Sequence, residues 1–475
     1  MRRAISESSD RRNSGFQKVV AEFLLLPGLP FANVLSAEKI NRIFRKHGGR
    51  FGGNRFYTTA VVLWAFLGQV LRDGKMASCQ FAVASIISQY LRSGQDAPTE
   101  DTGDYCRARA KLSEDAIREL SADVACEAEQ QADATWLWHK RHVKLVDGFT
   151  FTMPDTDANQ AEFPQQRSQK KGVGVPIARC AVLLSMATAM VMDVVHGPYS
   201  GKETGETALL RQMLKSLQAG DVVVFDRYYC SFMMLAQLFS QQVDVCARLH
   251  HLRHADFRKG RRLGKYDHLI VWTRPKKPSW MDDETYASIP VRLELRELRY
   301  AIVEKGRRTK SITVVTTLTD IDAYSKEDIA ELYGYRWNSE LDIRSIKDTL
   351  NLRHVRCKSP KMVRLEFRMT FLAYNLIRLT AASAALRSQQ KPRSISFTGT
   401  CQFVLAGWGM RASGLTEQDA QRWESDQLLK RIARCRVGDR PGRIEPRVIK
   451  RRRHRYPLMQ EPRAVLIARL RKHCT

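Results

Sequence analysis

The chain has 475 residues, 44% of them apolar, which is enough for two or three domains with real cores and excludes a disordered chain. Lys and Arg outnumber Asp and Glu by 78 to 50, and the resulting charge of +28 calls for a polyanionic partner. Nucleic acid fits this better than an anionic membrane surface, because no basic amphipathic helix with a strong aromatic face is present. The ten cysteines are scattered singly, without C-x-x-C pairs, and read as thiols of a reducing cytosol. The longest uncharged apolar run, Cys180 to Met192, is closed by Arg179 and Asp193 and is too short to span a bilayer.

Residues 1–15 are polar and predicted to be disordered. A helical region follows to about residue 135. Ser36 is placed to cap a helix that stops at Gly48-Gly49, and Thr59 to Arg72 carries a broad apolar face before Gly74. Another helix fits Ser78 to Leu91, and Ser113-Glu-Asp opens a long one with its acids in the first turn, where the helix dipole favours them. Arg42, Arg45, Lys46, Arg50 and Arg55 cluster near the start of this region, either as phosphate contacts or as solvated surface.

From about residue 142 the pattern becomes β. Val143-Lys-Leu-Val-Asp147-Gly148 is an apolar run that ends on an acid, followed by a glycine that permits another group to approach closely. Ile177 to Leu184 and Ala187 to Val195 read as a hairpin, Glu203 to Leu217 as a helix, and Asp221-Val-Val-Val-Phe-Asp226 as a second buried strand ending on an acid. Adjacent strand ends bring their side chains together at one edge of a sheet. Asp155, in a Pro-Asp-Thr turn, and Asp193, inside a strand, rank below Asp147 and Asp226 as site acids. Between Asp226 and Glu340 lie 113 residues, too many for a simple connection, so a β-rich subdomain is inserted at about 243–320. Its strands are Val243 to Leu249, His268 to Thr273, Val291 to Val303 and Ser311 to Leu318, with basic loops at 258–265 and 274–277.

The stretch Tyr333-Gly-Tyr-Arg336-Trp-Asn-Ser-Glu340 continues to Lys347. On one helix, Tyr333, Arg336, Glu340 and Lys347 share an arc of roughly 60°. The plain reading is a solvated face with an Arg336–Glu340 pair. The Y-x2-R-x3-E-x6-K spacing, however, resembles the signature of the IS4 group of bacterial DDE transposases. Asp147-Gly-Phe-Thr, Pro154-Asp-Thr and Asp226-Arg-Tyr-Tyr resemble that group's motifs around the first two catalytic aspartates, and Asp104-Tyr-Cys-Arg-Ala-Arg109 resembles its N-terminal domain, which holds the element ends. Together these cover most of residues 100–380.

The element order, strand, hairpin, helix, strand and late acidic helix, is that of an α/β ribonuclease H-like core. The expected division is a helical DNA-end-binding domain at 1–135, a catalytic domain at 136–386 and a helical, basic region at 387–475. The resemblance implies a triad of Asp147, Asp226 and Glu340 holding Mg2+, two ions with Mn2+ able to substitute, and places Tyr333, Arg336 and Lys347 on the DNA. It implies double-stranded DNA partners, both element ends and target, and a homodimer assembled on them in the bacterial cytoplasm at the nucleoid. Some members stack a displaced base on a Trp near the insertion's last strand. Here Ser311-Ile-Thr-Val has no aromatic, leaving Trp272 or Trp280, for which a core role is the plainer expectation. From Lys430 to Lys472 there are 16 Lys or Arg against three acids. The alternatives are a catalytically silent DNA-binding relative and a structure-specific nuclease of the same fold.

Overall fold

Local sequence signals set the helices at the start of the chain. The Ser36 hydroxyl accepts a hydrogen bond from the Lys39 N–H at 3.2 Å and opens α1, Ala37–Lys46. Thr58 opens α2, Thr59–Val70, in the same way. α3 (Cys79–Arg92), α4 (Gly103–Arg109) and α5 (Glu114–Gln130, capped by Ser113) follow. α2 was expected to bury one face, yet every one of its residues is buried, because α1, α3 and α4 all pack on it. Within the Asp104–Arg109 motif, the Tyr105 hydroxyl and the Arg109 guanidinium both reach Gln69 Oε1, at 2.5 and 3.0 Å. Those two residues serve the helical core, whereas Arg107 is exposed and pairs with Asp104 at 2.6 Å.

The computed structural model describes residues 35–48, 56–92, 94–302, 311–407, 427–438 and 458–473. The polar N-terminal stretch, Arg50, Arg55 and the 439–457 part of the basic tail lie outside them. The chain forms two units, one of residues 1–136, 187–192 and 342–437, the other of 137–186, 193–341 and 438–475.

The second unit is built on a sheet. Its strands are β1 (Val143–Thr152), β2 (Ile177–Ser185), β3 (Val191–Pro198), β4 (Val222–Phe225), β5 (Asp244–Arg248), β6 (Arg261–Gly264), β7 (Asp267–Thr273), β8 (Arg292–Ala301) and β9 (Ser311–Thr316). They stand in the order β3-β2-β1-β4-β5-β9-β8-β7-β6. β4 runs parallel to both β1 and β5, while β1 with β2 and the β5-β9-β8-β7-β6 run are antiparallel. The sheet is mixed, and mostly antiparallel.

Three local expectations change. β1 does not stop at Asp147 but continues to Thr152, because β2 pairs with it without a break from Lys144–Ser185 to Thr152–Ile177. The helix expected over 203–217 is α6, Glu206–Arg211, followed by a 3-10 turn at Leu214–Ser216, whose Ser216 hydroxyl donates to Asp193 at 2.6 Å. The basic loop expected at 258–265 contains β6, the outermost strand, and its exposed Arg261 and Arg262 guard that edge against pairing with other chains. Gly260 before it has φ +73°, and a Cβ there would lie 2.0 Å from the Leu269 carbonyl oxygen. α7 (Phe232–Ser240) connects β4 to β5.

After β9 come α8 (Lys326–Gly334) and α9 (Trp337–Arg344), and the chain then returns to the first unit through α10, Pro360–Arg387. α10 is long and apolar enough to cross a membrane by length and composition, but most of it is buried against α5 and α2. Polar side chains buried on it are used internally. Asn375 accepts from the Val191 N–H and donates to the Val191 carbonyl, both at 2.8 Å, and donates to the Ser121 carbonyl at 3.1 Å. Arg378 and Arg393 hold the two oxygens of buried Asp342 at 2.8 and 2.7 Å. All nine described cysteines are free thiols.

The β-rich extension depends on a buried ion pair. Arg296 on β8, fully buried, donates twice to Asp267 on β7, at 2.9 and 2.6 Å, and once to the Tyr324 carbonyl at 2.6 Å. Breaking one side strands the other charge in the interior. Arg296→Met is expected to destabilise this unit by about 3–5 kcal/mol, and adding Asp267→Leu to recover most of that loss, as read from denaturant unfolding.

Candidate active site

The two aspartates are set side by side by strand register. In the parallel β1–β4 pair, Val143 faces Val222 and Val146 faces Phe225. Asp147 and Asp226 each follow the last of these pairs, on strands about 4.8 Å apart. Asp226 heads the 3-10 turn Arg227–Tyr229 but makes no side-chain cap bond to it, so its carboxylate is not consumed as a turn former. Asp147 Oδ1 accepts from the Gly148 N–H and Oδ2 from the Ser339 hydroxyl, both at 2.8 Å. Ser339 is fully buried and 192 residues away in sequence, and it is the neighbour of Glu340 on α9. This tie brings the third predicted acid to the first.

Arg336 stands between those acids. Its guanidinium donates to Glu340 Oε1 at 2.9 Å and lies 4.0 Å from Asp147 Oδ2. Burial works against the Arg336 charge, but Tyr333, Glu340 and Asp226 outweigh it and leave the pKa raised. The Asp147 carboxyl is pushed up, chiefly by burial, against the stabilising bonds from Ser339 and Gly148. Tyr333 is almost fully buried, and burial likewise raises its phenol. The residue thus packs beneath the site rather than facing solvent.

The single helix expected from Tyr333 to Lys347 is broken. α8 ends at Gly334 and α9 starts at Trp337, with i→i+3 bonds at the joint: Arg336 N–H to Tyr333 O at 3.1 Å and Ser339 N–H to Arg336 O at 3.0 Å. α9 then runs into a π-helical turn, Ser345–Thr349, closed by a Leu350 N–H to Ser345 O bond of 3.3 Å. Lys347 sits half-buried on that turn, in the first unit, whereas Tyr333, Arg336 and Glu340 belong to the second. An even rotation per residue therefore does not describe the stripe, although the Arg336–Glu340 pair survives.

A fourth carboxylate was not anticipated. Glu206, the first residue of α6, lies against Gly148, where an added Cβ would be 2.5 Å from the Glu206 Cδ. The close approach that Gly148 permits is thus made by a carboxylate. The buried Tyr229 hydroxyl donates to Glu206 Oε2 at 3.2 Å. Burial raises the Glu206 carboxyl, and the charges of Asp147 and Asp226 raise it further, against Tyr229 and Arg179. An acid in the first turn of a predicted helix, after Gly205, was the only trace of it in the sequence.

The rival acids bond to partners outside this set. Asp193 is buried inside β3 and accepts from the Val194 N–H at 2.8 Å and the Ser216 hydroxyl at 2.6 Å. Asp155 accepts from Gln160 at 2.7 Å in the loop after β1. Trp272 is buried and donates to Glu297 at 3.1 Å, while Trp280 is 36% exposed with Arg211 stacked 3.8 Å over its ring. Among the described residues, no three His, Cys, Asp or Glu side chains are grouped tightly enough to hold a metal ion as they stand. The Arg336 guanidinium occupies the gap between Asp147 and Glu340. What the arrangement offers is a set of hard oxygen donors on neighbouring backbone elements, compensated by one arginine.

The family model described as the transposase DDE domain matches residues 138–376, half of the chain, and includes Asp147, Asp226 and Glu340. The transposase InsG for insertion sequence element IS4, from Escherichia coli strain K12, is 26% identical over 363 residues, covering 74% of this chain and 77% of that protein. Among solved structures, the piggyBac transposase in its synaptic complex with hairpin DNA aligns with 86% of this chain and 85% of its own, at 11% identity and a TM-score of 0.40. The chain belongs to the family of transposases with this DDE domain.

Proposed function

We propose that this transposase binds the ends of its own insertion sequence, hydrolyses the DNA there with divalent-metal assistance, and joins the freed 3′ hydroxyls to target DNA. The observation that carries the reading is the β1–β4 register, which sets Asp147 beside Asp226, together with the Ser339 bond that ties Glu340's helix to Asp147. The order β3-β2-β1-β4-β5, with β1, β4 and β5 parallel, supports a ribonuclease H-like core within residues 136–386, extended by the β-rich insertion. The helical region to 135 is assigned to holding the element ends and the basic region from 387 to binding phosphates. Two ends react together, so at least two copies assemble on DNA, in the bacterial cytoplasm at the nucleoid.

The donor set suits Mg2+, a hard cation that takes carboxylate oxygen, with Mn2+ able to substitute. Asp147, Asp226 and Glu340 would hold the metal. Once bound, two such ions supply the Lewis acidity and the charge stabilisation that an in-line phosphoryl displacement needs. Arg336 neutralises Asp147 and Glu340 when no DNA is bound, and its role on the element end is to move to the phosphate beside the scissile bond. Lys347 holds a neighbouring phosphate, while Tyr333 packs behind Arg336.

Asp147→Asn, Asp226→Asn and Glu340→Gln change charge but not shape. Each is expected to bind an element-end duplex as tightly as the parent, or more so because acid–phosphate repulsion falls, while Mg2+-dependent cleavage drops by at least about a thousandfold. A gel assay with and without Mg2+ checks this, and retained nicking removes that residue from the triad. Arg336→Ala and Lys347→Ala should weaken binding to element ends by about 1–3 kcal/mol in a filter or fluorescence titration. The tail needs a truncation that spares the core. Leu429, Ile432 and Ala433 are buried, so the cut belongs after residue 438. Removing 439–475 should weaken binding to every duplex alike and flatten the dependence of log K on log salt by about 0.9 for each phosphate that the tail had neutralised; an unchanged slope would remove the tail from the interface.

A further inference from the structure

The connection from β1 to β2, residues 153–176, keeps its charges in separate halves. Asp155, Asp157 and Glu162 lie in the first, around the short helix Asp157–Glu162. The second half, 163–176, carries Arg167, Lys170 and Lys171 and no acid. All three cations are exposed, and among the described residues none of them makes an ion pair. The loop that bears them is held in one shape by a side chain. Gln165 accepts from the Gly172 and Gly174 N–H groups at 3.0 and 3.2 Å and donates to the Gln169 and Lys170 carbonyls at 3.2 and 3.0 Å, which uses its full hydrogen-bonding capacity. Gln160 closes the base, accepting from the Gln165 N–H at 3.0 Å and donating to the Gly174 carbonyl at 3.1 Å.

Strand pairing fixes where this loop stands. β4 accompanies β1 only as far as Val146, whereas β2 stays with it to Thr152, so the β1–β2 pair projects past the acids. At about 3.4 Å per residue, the five residues from Asp147 to Thr152 set the base of the loop about 17 Å beyond Asp147. Phosphates follow one another at about 3.4 Å along each strand of a duplex, so the same span is about five nucleotides. A second basic segment meets the loop from the far end of the chain. A Cβ on Gly172 would lie 3.2 Å from the Pro462 side chain, and Pro462 leads into the exposed helix Arg463–His473, which has Arg463, Arg469, Arg471 and Lys472 and no acid. Arg469 pairs with Glu461 at 2.7 Å.

We propose, building on the DNA-binding reading above, that the loop 165–174 and the adjoining helix Arg463–His473 form one phosphate-binding surface for the duplex held at the acids. The surface grips the backbone about five nucleotides from the phosphate at Asp147 and is indifferent to sequence, because what it presents is cations. The Gln165 cradle has a function on this assignment. It orders the backbone that carries the cations before DNA arrives, so less freedom is lost on binding.

The test uses the full chain without divalent metal, titrated with a fluorescent element-end duplex and with a random-sequence duplex over a series of salt concentrations. The triple variant Arg167→Gln, Lys170→Gln, Lys171→Gln alters exposed side chains only. It is expected to bind both duplexes at least about tenfold more weakly at 0.1 M salt, and to flatten the dependence of log K on log salt by about 0.9 for each phosphate released. Parental affinity and slope in the triple variant, with cleavage still lost in Asp147→Asn, overturn the surface and leave the transposase reading intact. A loss confined to the element-end duplex also overturns it, since the grip is then not sequence-independent. A parent that binds neither duplex overturns both readings.

Discussion

The parallel pairing of β1 with β4 is the constraint on which the site depends. A parallel ladder fixes which residues stand abreast, and the Val146–Phe225 pair leaves Asp147 and Asp226 as the next residues on each strand. Everything else is arranged around that adjacency. β2 runs beyond it and holds β1 extended to Thr152, so that Gly148 remains part of a strand and offers its open side to Glu206. The chain after β4 turns at once into the Arg227–Tyr229 turn, which delivers the Tyr229 hydroxyl to the same carboxylate.

Such a concentration of acids has to be compensated, and here the compensation is a long, jointed side chain. Arg336 stands at the joint between α8 and α9, and its forked guanidinium can serve Glu340 and Asp147 at once. A continuous helix would turn Arg336 through a fixed angle relative to Glu340. The joint, with its i→i+3 bonds, lets the backbone change direction between Tyr333, which is buried, and Arg336, which reaches across the acids. The same guanidinium that steadies the carboxylates has the forked geometry that suits a phosphate.

The helical unit follows a different rule. Its longest helix, α10, is apolar enough to suit a lipid environment by composition, and polar side chains buried on it are matched. Asn375 satisfies both backbone groups of Val191, and Arg378 with Arg393 neutralises Asp342. Buried polar groups of this kind contribute little net stability but are strongly destabilising if unpaired, and so they select one packing among many.

The sequence by itself determined the features that need only a few neighbouring residues. The Ser36 and Ser113 caps, the acids at Asp147 and Asp226, and the Tyr333–Lys347 spacing with its family resemblance are all written in short windows, because capping, strand alternation and motif spacing are local physics. Which residues each acid meets was decided by tertiary structure. Asp193, ranked below Asp226 in the sequence because it stands inside a strand, accepts from the Ser216 hydroxyl and the Val194 N–H, whereas Asp147 is tied by the Ser339 hydroxyl to the helix of Glu340. Glu206 looks like any first-turn acid until Gly148 and Tyr229 are brought to it. The break at Arg336 has one local trace, Gly334, a poor helix former that ends α8, but the direction the chain takes after it is not written there. The Ser339–Asp147 bond joins residues 192 apart, and interactions of that range leave no period or spacing to read, because their energy depends on where the rest of the fold places the partner.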